Sequence, residues 1–192
     1  MINVLMQINF LLKNIFMISN KAKGISSGYH VQKSINIGED GQRRYYDSCK
    51  NAGMVIKKTG KVQDINHVDF IVNGLTVDVK GLKDSHKLGN ILLEVKNVKG
   101  NNGWCSESGP ECIAFDFGAF FLNVKNIDLI KLIKKLCNLN DKVTRVNLSL
   151  YKSYTRKDRM DLITMVTLKD VLNNCEHWFL PFESYKEPME LL

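Results

Sequence analysis

The chain has 192 residues, of which 44% are hydrophobic and 24% charged, a globular mix that excludes wholesale disorder. Lys and Arg outnumber Asp and Glu by 27 to 20, which gives a net charge of +7 and favours an anionic partner, nucleic acid being the simplest. The five cysteines (Cys49, Cys105, Cys112, Cys137, Cys175) are odd in number and lack zinc spacing, so they read as reduced thiols of a cytosolic compartment. In chain order, MINVLMQINFLLKNIFM (1–17) is too short and too interrupted by Asn, Gln and Lys to span a bilayer. It also lacks the basic start and cleavage site of a signal peptide. Either Met17 is the natural start, with 1–16 translated from upstream, or these residues form a docking helix.

Residues 18–38 are polar and Gly/Ser-bearing and read as loop with at most a short strand, so 1–38 is expected to be an N-terminal extension, partly flexible. DGQRRYYDSCKNA (40–52) reads as a helix closed by Gly53. MVIKKTG is a strand, HVDFIVNGLTVDVKG (67–81) a hairpin, 82–89 a charged loop, ILLEVKNV (91–98) a strand and GNNGWCSESGPE a long loop. CIAFDFGAFFLNV reads as two strands bent at Gly118. In NIDLIKLIKKLCN the helical period places Ile127, Leu129, Ile130, Leu132, Ile133 and Leu136 inside. VTRVNLSLY then reads as a strand, KSYTRKDRMD as a basic stretch, ITMV as a strand and LKDVLNN as a short helix. The expectation is one α/β domain over 39–192, with a core over about 39–136 and a C-terminal layer over 137–192.

The hairpin carries the chemistry. Asn73-Gly74 between β-rich runs signals a two-residue type I′ turn. Val72 then faces Leu75, Ile71 faces Thr76, Phe70 faces Val77, Asp69 faces Asp78, Val68 faces Val79 and His67 faces Lys80. One face is apolar throughout (Val68, Phe70, Val72, Leu75, Val77, Val79), and the other gathers His67, Asp69, Asp78 and Lys80 away from the turn. Like charges directly opposed destabilise a sheet. A divalent cation between Asp69 and Asp78 removes that cost, because Mg²⁺ takes one or two carboxylates and keeps several waters. Lys80 reaches the same place. Two acids, a metal and a lysine suit phosphodiester hydrolysis. The competing reading is a wet outer face with a Lys–Asp pair.

The element order helix–strand–hairpin–strand–strand–helix, with Asp69 and then Asp78-Val79-Lys80 on the hairpin, resembles the PD-(D/E)XK nuclease superfamily over roughly residues 39–136. ILLEVKNVKGNNGW, ECIAFDF and YTRKDRMDLITMV are similar to stretches of small nuclease-like proteins of phages and large DNA viruses. The resemblance implies a restriction-endonuclease-like core with a mixed sheet and a C-terminal extension. It implies Mg²⁺ or Mn²⁺ held by Asp69 and Asp78, with Lys80 assisting the nucleophile. DNA is the implied partner and no membrane is involved; a homodimer is compatible with it, and a viral protein would work in the host cytoplasm. The implied activity is that of a metal-dependent deoxyribonuclease. The alternatives are a non-catalytic nucleic-acid- or protein-binding module that keeps the fold, and a structural or inhibitory viral protein.

Many members carry a glutamate on the first helix. Here GEDGQRRYY sets Gln42 at that place, with Glu39 one turn earlier, and an amide does not replace a charged ligand. That leaves one or two metals open. A rival register takes Glu94-Val95-Lys96 as the E-x-K and Asp78 as the upstream acid. In the preferred register Glu94 lies on the strand neighbouring the hairpin, as a third ligand or a water-orienting group, and an ordinary exposed strand face is the alternative for Glu94 and Lys96. For DNA contacts the candidates are Lys96, Trp104 as a base-stacking ring or as a plug at the core's edge, and Lys152, Arg156, Lys157 and Arg159 as backbone grips or a solvated basic face. His67 is a weaker phosphate contact.

Overall fold

A computed structural model of the chain describes residues 30–60, 67–81, 83, 86 and 88–182, with side chains from residue 37 onward. The readings of 1–17 and of the first part of the 18–38 loop lie outside the described residues. The fold is mixed α/β. In order it runs α1 (His30–Asn51), β1 (Ile56–Lys58), β2 (Phe70–Val72), β3 (Leu75–Lys80), β4 (Asn90–Lys96), β5 (Cys112–Asp116), β6 (Phe120–Lys125) and α2 (Asn126–Leu136). It continues with β7 (Asn138–Val143), a 3₁₀ turn (Val146–Leu148), β8 (Lys152–Tyr154), β9 (Leu162–Thr167), α3 (Leu168–Asn174) and β10 (His177–Pro181).

Two mixed sheets result. The first has the order β1-β2-β3-β5-β6-β10 and the second β4-β9-β8-β7. In the first, α1 covers one face: Tyr45 and Cys49 pack with Phe70, Val72, Val77, Val79, Ala114 and Phe121. This is the apolar hairpin face expected from the alternation. The other face buries Ile113, Phe115, Leu122 and Val124 against Ile91 and Leu93 of the second sheet and Leu129, Leu132 and Ile133 of α2.

The hairpin turns as its sequence demands, with Asn73 at φ 49° and Gly74 at φ 90°. Its pairs Val72–Leu75, Ile71–Thr76 and Phe70–Val77 form as expected. The ladder then stops. The expected pairs Asp69–Asp78, Val68–Val79 and His67–Lys80 are not rungs of it, and His67 takes φ 58°. In this register a continued ladder sends the Val79 N–H to the Val68 carbonyl. It goes instead to Asp69 Oδ2, at 2.8 Å.

Several other expectations change. α1 begins at His30 rather than at Asp40: its polar, glycine-bearing first half reads as loop, but the helix lies against the sheet. ILLEVK does not pair beside the hairpin. β3 pairs parallel with β5, and a parallel pair needs a crossover. Here the crossover carries β4, which joins β9 on the far side of the cleft. The strand expected over 143–151 does not form: β7 ends at Val143, where that stretch begins, and a 3₁₀ turn follows at Val146–Leu148. Ile127 is half exposed at the first turn of α2, whereas Leu129, Ile130, Leu132 and Ile133 are buried. β10, which was not anticipated, leaves the C-terminal layer and pairs with β6. Among the described residues no helix is long and apolar enough to cross a membrane.

One close approach places the helix over the site. A Cβ on Gly81 would stand 2.6 Å from the Ile37 carbonyl oxygen, and one on Gly41 would stand 3.0 Å from Gly81 Cα. The two glycines let α1 cross directly over the end of β3. Gly81→Ala is expected to push the helix away and to cost at least about 1–3 kcal/mol, as overpacking does. Urea denaturation of the two proteins measures it.

Candidate active site

Asp69 sits just before β2, where four of its polar atoms are engaged. Its N–H donates to the Val77 carbonyl (2.9 Å) and its carbonyl accepts from Thr59 N (3.0 Å). Its Oδ1 accepts from Gln42 Nε2 (2.8 Å) and its Oδ2 from Val79 N (2.8 Å). Burial, then the negative charge of Asp78, push the Asp69 carboxyl up to about 7. Gln42, singled out in the sequence for standing as an amide where a further acid was sought, thus touches Asp69 directly.

Asp78 is 4% exposed. It points from β3 into the gap between the sheets, so the polar face of the hairpin is not a wet outer face. Lys80 Nζ lies 2.6 Å from Asp78 Oδ2. Oδ2 is buried and, apart from that ion pair, has no hydrogen-bond partner. Lys80 also lies over the Trp104 ring, 4.8 Å from its centre. Asp69 and Asp78 are the residues able to hold a cation. Two adjacent carboxylates, one with an oxygen lacking a hydrogen bond and the other reluctant to ionise, fit a divalent ion that retains waters. Among the described residues no group of three or more His, Cys, Asp or Glu side chains could hold a metal.

In front of Lys80 is a cavity of about 460 Å³ between the two sheets. Lys80, Lys83 and Arg156 supply its cations, Glu94 its carboxylate, and Trp104, Tyr154, Leu92 and Ile163 its ring and apolar walls; His67, His86 and Val146 complete it. Glu94 thus reaches the site from the opposite sheet rather than from a strand next to the hairpin. The Arg156 guanidinium is held through Nε by the buried Asp161 carboxylate, whose other oxygen accepts from Arg156 N at 2.9 Å. Its Nη2 lies 3.9 Å from Glu94 Oε2.

The sequence candidates thus divide. Lys80, Glu94, Trp104, Arg156 and His67 line one cavity, with Asp69 and Asp78 behind Lys80. Trp104 is 5% exposed and packs edge-on to Phe115 beneath Lys80. Lys157 and Arg159 are exposed on the turn between β8 and β9, and Lys96 is exposed at the end of β4. Lys152 pairs with Asp141 at 2.7 Å on the solvent side. The basic stretch is therefore split, with Arg156 turned inward and its neighbours outward. Lys83, His86, Tyr154 and Asp161 were missed. Asp161 had a signal, as an acid closing a basic turn ahead of an apolar strand; His86 had none within its charged loop.

His86 is buried, and its Nδ1 lies 2.8 Å from the Asp116 carbonyl oxygen. A carbonyl only accepts, so Nδ1 carries the hydrogen. Burial lowers the ring's pKa to about 4, which leaves it neutral with the lone pair on Nε2. No family model matches this chain, and no curated protein or solved structure does either.

The raised carboxyl of Asp69 sets a pH dependence. In the unfolded chain an aspartate titrates near 4, in the folded protein near 7. Between those values the folded state keeps a proton that the unfolded state has lost. Stability from this group therefore falls as pH rises from about 4 to about 7, by at most about 1.4 kcal/mol per pH unit. His86, lowered in the fold, contributes the opposite slope in any variant that keeps it. In EDTA, Asp69→Asn is expected to lose less stability than wild type between pH 5 and pH 8, read from urea midpoints at both values.

Proposed function

We propose that the protein is a metal-dependent DNA nuclease of PD-(D/E)XK type, with the restriction-endonuclease-like core formed by α1, the hairpin, β5, β6 and α2. The observation that carries this reading is the pairing of Asp69, its carboxyl raised to about 7, with the buried Asp78, whose carboxylate meets a lysine that lines a cationic cavity. Asp69 and Asp78 would hold Mg²⁺ or Mn²⁺, which when bound supplies charge neutralisation and an acidified water. Gln42 and the Val79 N–H fix the Asp69 carboxylate so that it needs no reorganisation. Lys80 faces the cavity and meets the negative charge that builds on the phosphate or orients the attacking water. Arg156, locked by Asp161, offers its outer nitrogens to an adjacent phosphate. The buried wall of Trp104 keeps the ammonium of Lys80 away from bulk solvent.

A second reading has its own support. Gln42 is an amide where a further carboxylate would stand, and Lys80 already neutralises Asp78. Both favour a module that binds nucleic acid through the same cavity without cutting it.

Single-turnover cleavage of supercoiled, linear and branched DNA with saturating enzyme and Mg²⁺ tests the proposal. Lys80→Ala is expected to leave Mg²⁺ affinity largely intact and to slow cleavage roughly a hundred- to thousand-fold, the usual effect of removing one preorganised stabilising group. Asp78→Asn is expected to abolish Mg²⁺ binding by calorimetry. Equal cutting by wild type and Lys80→Ala would end the catalytic reading. Binding of DNA without any cleavage in Mg²⁺ or Mn²⁺ would favour the module.

A further inference from the structure

The geometry points to an unpaired strand as the substrate: one nucleotide enters the cavity between the sheets while the strand on either side of it lies in the adjoining groove. For cleavage this rests on the nuclease reading; for binding it stands alone. Three observations carry it.

The first is depth. Asp78 is 4% exposed and paired with Lys80, whose side chain lines the cavity, so a phosphate meets the Lys80–Asp78 pair from inside the cavity. A base-paired nucleotide is held within the duplex and cannot be inserted between two sheets. An unpaired or extruded one can, because its backbone is free to splay.

The second is size and lining. The cavity measures about 460 Å³, within the usual span of small-ligand pockets of roughly 300–1,000 Å³. Its chemistry is that of a nucleotide. Lys80, Lys83 and Arg156 suit a phosphate; Tyr154 and Ile163 suit a ring.

The third is continuity. His67 and Glu94 also line a second hollow, of about 810 Å³, formed by the loop after β4. Asn97, Lys99, Asn101, Asn102 and Ser108 give it amide, ammonium and hydroxyl groups, with Val98 as an apolar side chain among them. Asn97 Oδ1 accepts from Lys99 N at 2.9 Å and from Asn101 N at 3.2 Å, which fixes the curve of that loop. A strand leaving the cavity meets this groove next, where sugar and phosphate find donors and no base needs a partner.

The test uses the full chain in EDTA, so that binding is read apart from cleavage. Fluorescence anisotropy is measured with a single-stranded oligonucleotide, the same strand in a blunt duplex, and free deoxynucleoside monophosphate. The single strand is expected to bind most tightly, with the monophosphate competing weakly. Val146 lines the cavity from the exposed 3₁₀ turn and is itself 40% exposed. Val146→Trp is expected to fill the entrance and weaken single-strand binding about tenfold or more, the effect of losing one inserted base. Circular dichroism and the urea midpoint confirm that it folds. Lys83→Ala keeps the question open to a second variant and is expected to weaken the same ligand. Duplex bound as tightly as single strand, or a single-strand affinity untouched by both substitutions, overturns the inference. Cleavage of intact duplex interiors in Mg²⁺ at the single-strand rate overturns it while leaving the nuclease reading in place. Single-strand binding that responds to Val146→Trp without any cleavage upholds it and removes the nuclease.

Discussion

The central hairpin ends because Asp69 puts its own carboxylate where a backbone carbonyl belongs. Val79 N–H is satisfied by Oδ2 of Asp69, and the Val68 carbonyl, released from the ladder, takes the Thr59 hydroxyl instead. With its last rung lost, the incoming strand leaves the sheet and His67 turns to positive φ. The carboxylate is then fixed beside Asp78, on a strand still held by β5 on its other side. Every polar atom in the exchange has a partner, so the break in the ladder costs little hydrogen bonding. What it does cost is the proximity of two acids.

The crossover between β3 and β5 turns that proximity into a cavity. A helix is the common way to cover such a connection. This chain uses β4, which is too short of partners to stand alone and so recruits β9, β8 and β7 into a second sheet. Ile91 and Leu93 bury one side of β4, while Leu92 and Glu94 look toward Lys80. The strand alternation that builds the core thereby also supplies the cavity's opposite wall.

The hairpin turn, its apolar face, the two strands around Gly118 and the helix 126–136 were legible because each has a local cause: positive φ at Asn73 and Gly74, a period of two, a period of 3.6. Asp78 and Lys80 share a face of β3 as a period of two requires, but Asp69 is held near them by the Val79 N–H and not by the rung that the turn register implies. The sheet assignment of β4 was not legible. ILLEVK reads as a strand in either sheet, and only the parallel pairing of β3 with β5 decides between them. The start of α1 was hidden because Gly38 and Gly41 argue for loop by propensity, whereas close passage over Gly81 makes a glycine useful at 41. The inward turn of Arg156 was hidden too. Four basic residues close together look alike until Asp161, buried just before the next strand, selects one of them.

The local charge balance is more informative than the net charge of +7. Among the described residues the buried aspartates are Asp78, Asp116 and Asp161, and each has a cation: Lys80, Arg44 and Arg156. That is the ordinary remedy for a buried carboxylate, which is costly without a partner. Asp69 departs from it. Its partners there are a neutral amide and a backbone N–H, while its nearest charge is the like charge of Asp78. Lys80 stands close enough to help but is committed to Asp78 at 2.6 Å. The result is a position two oxygens wide with one cation too few. A protein that pairs its buried aspartates so consistently leaves room here for positive charge brought from outside, and Lys80 joins that shortfall to a cavity lined by Lys83 and Arg156. An anion attracted by Lys83 and Arg156 would meet Lys80 on entering, with Asp78 paired behind that ammonium.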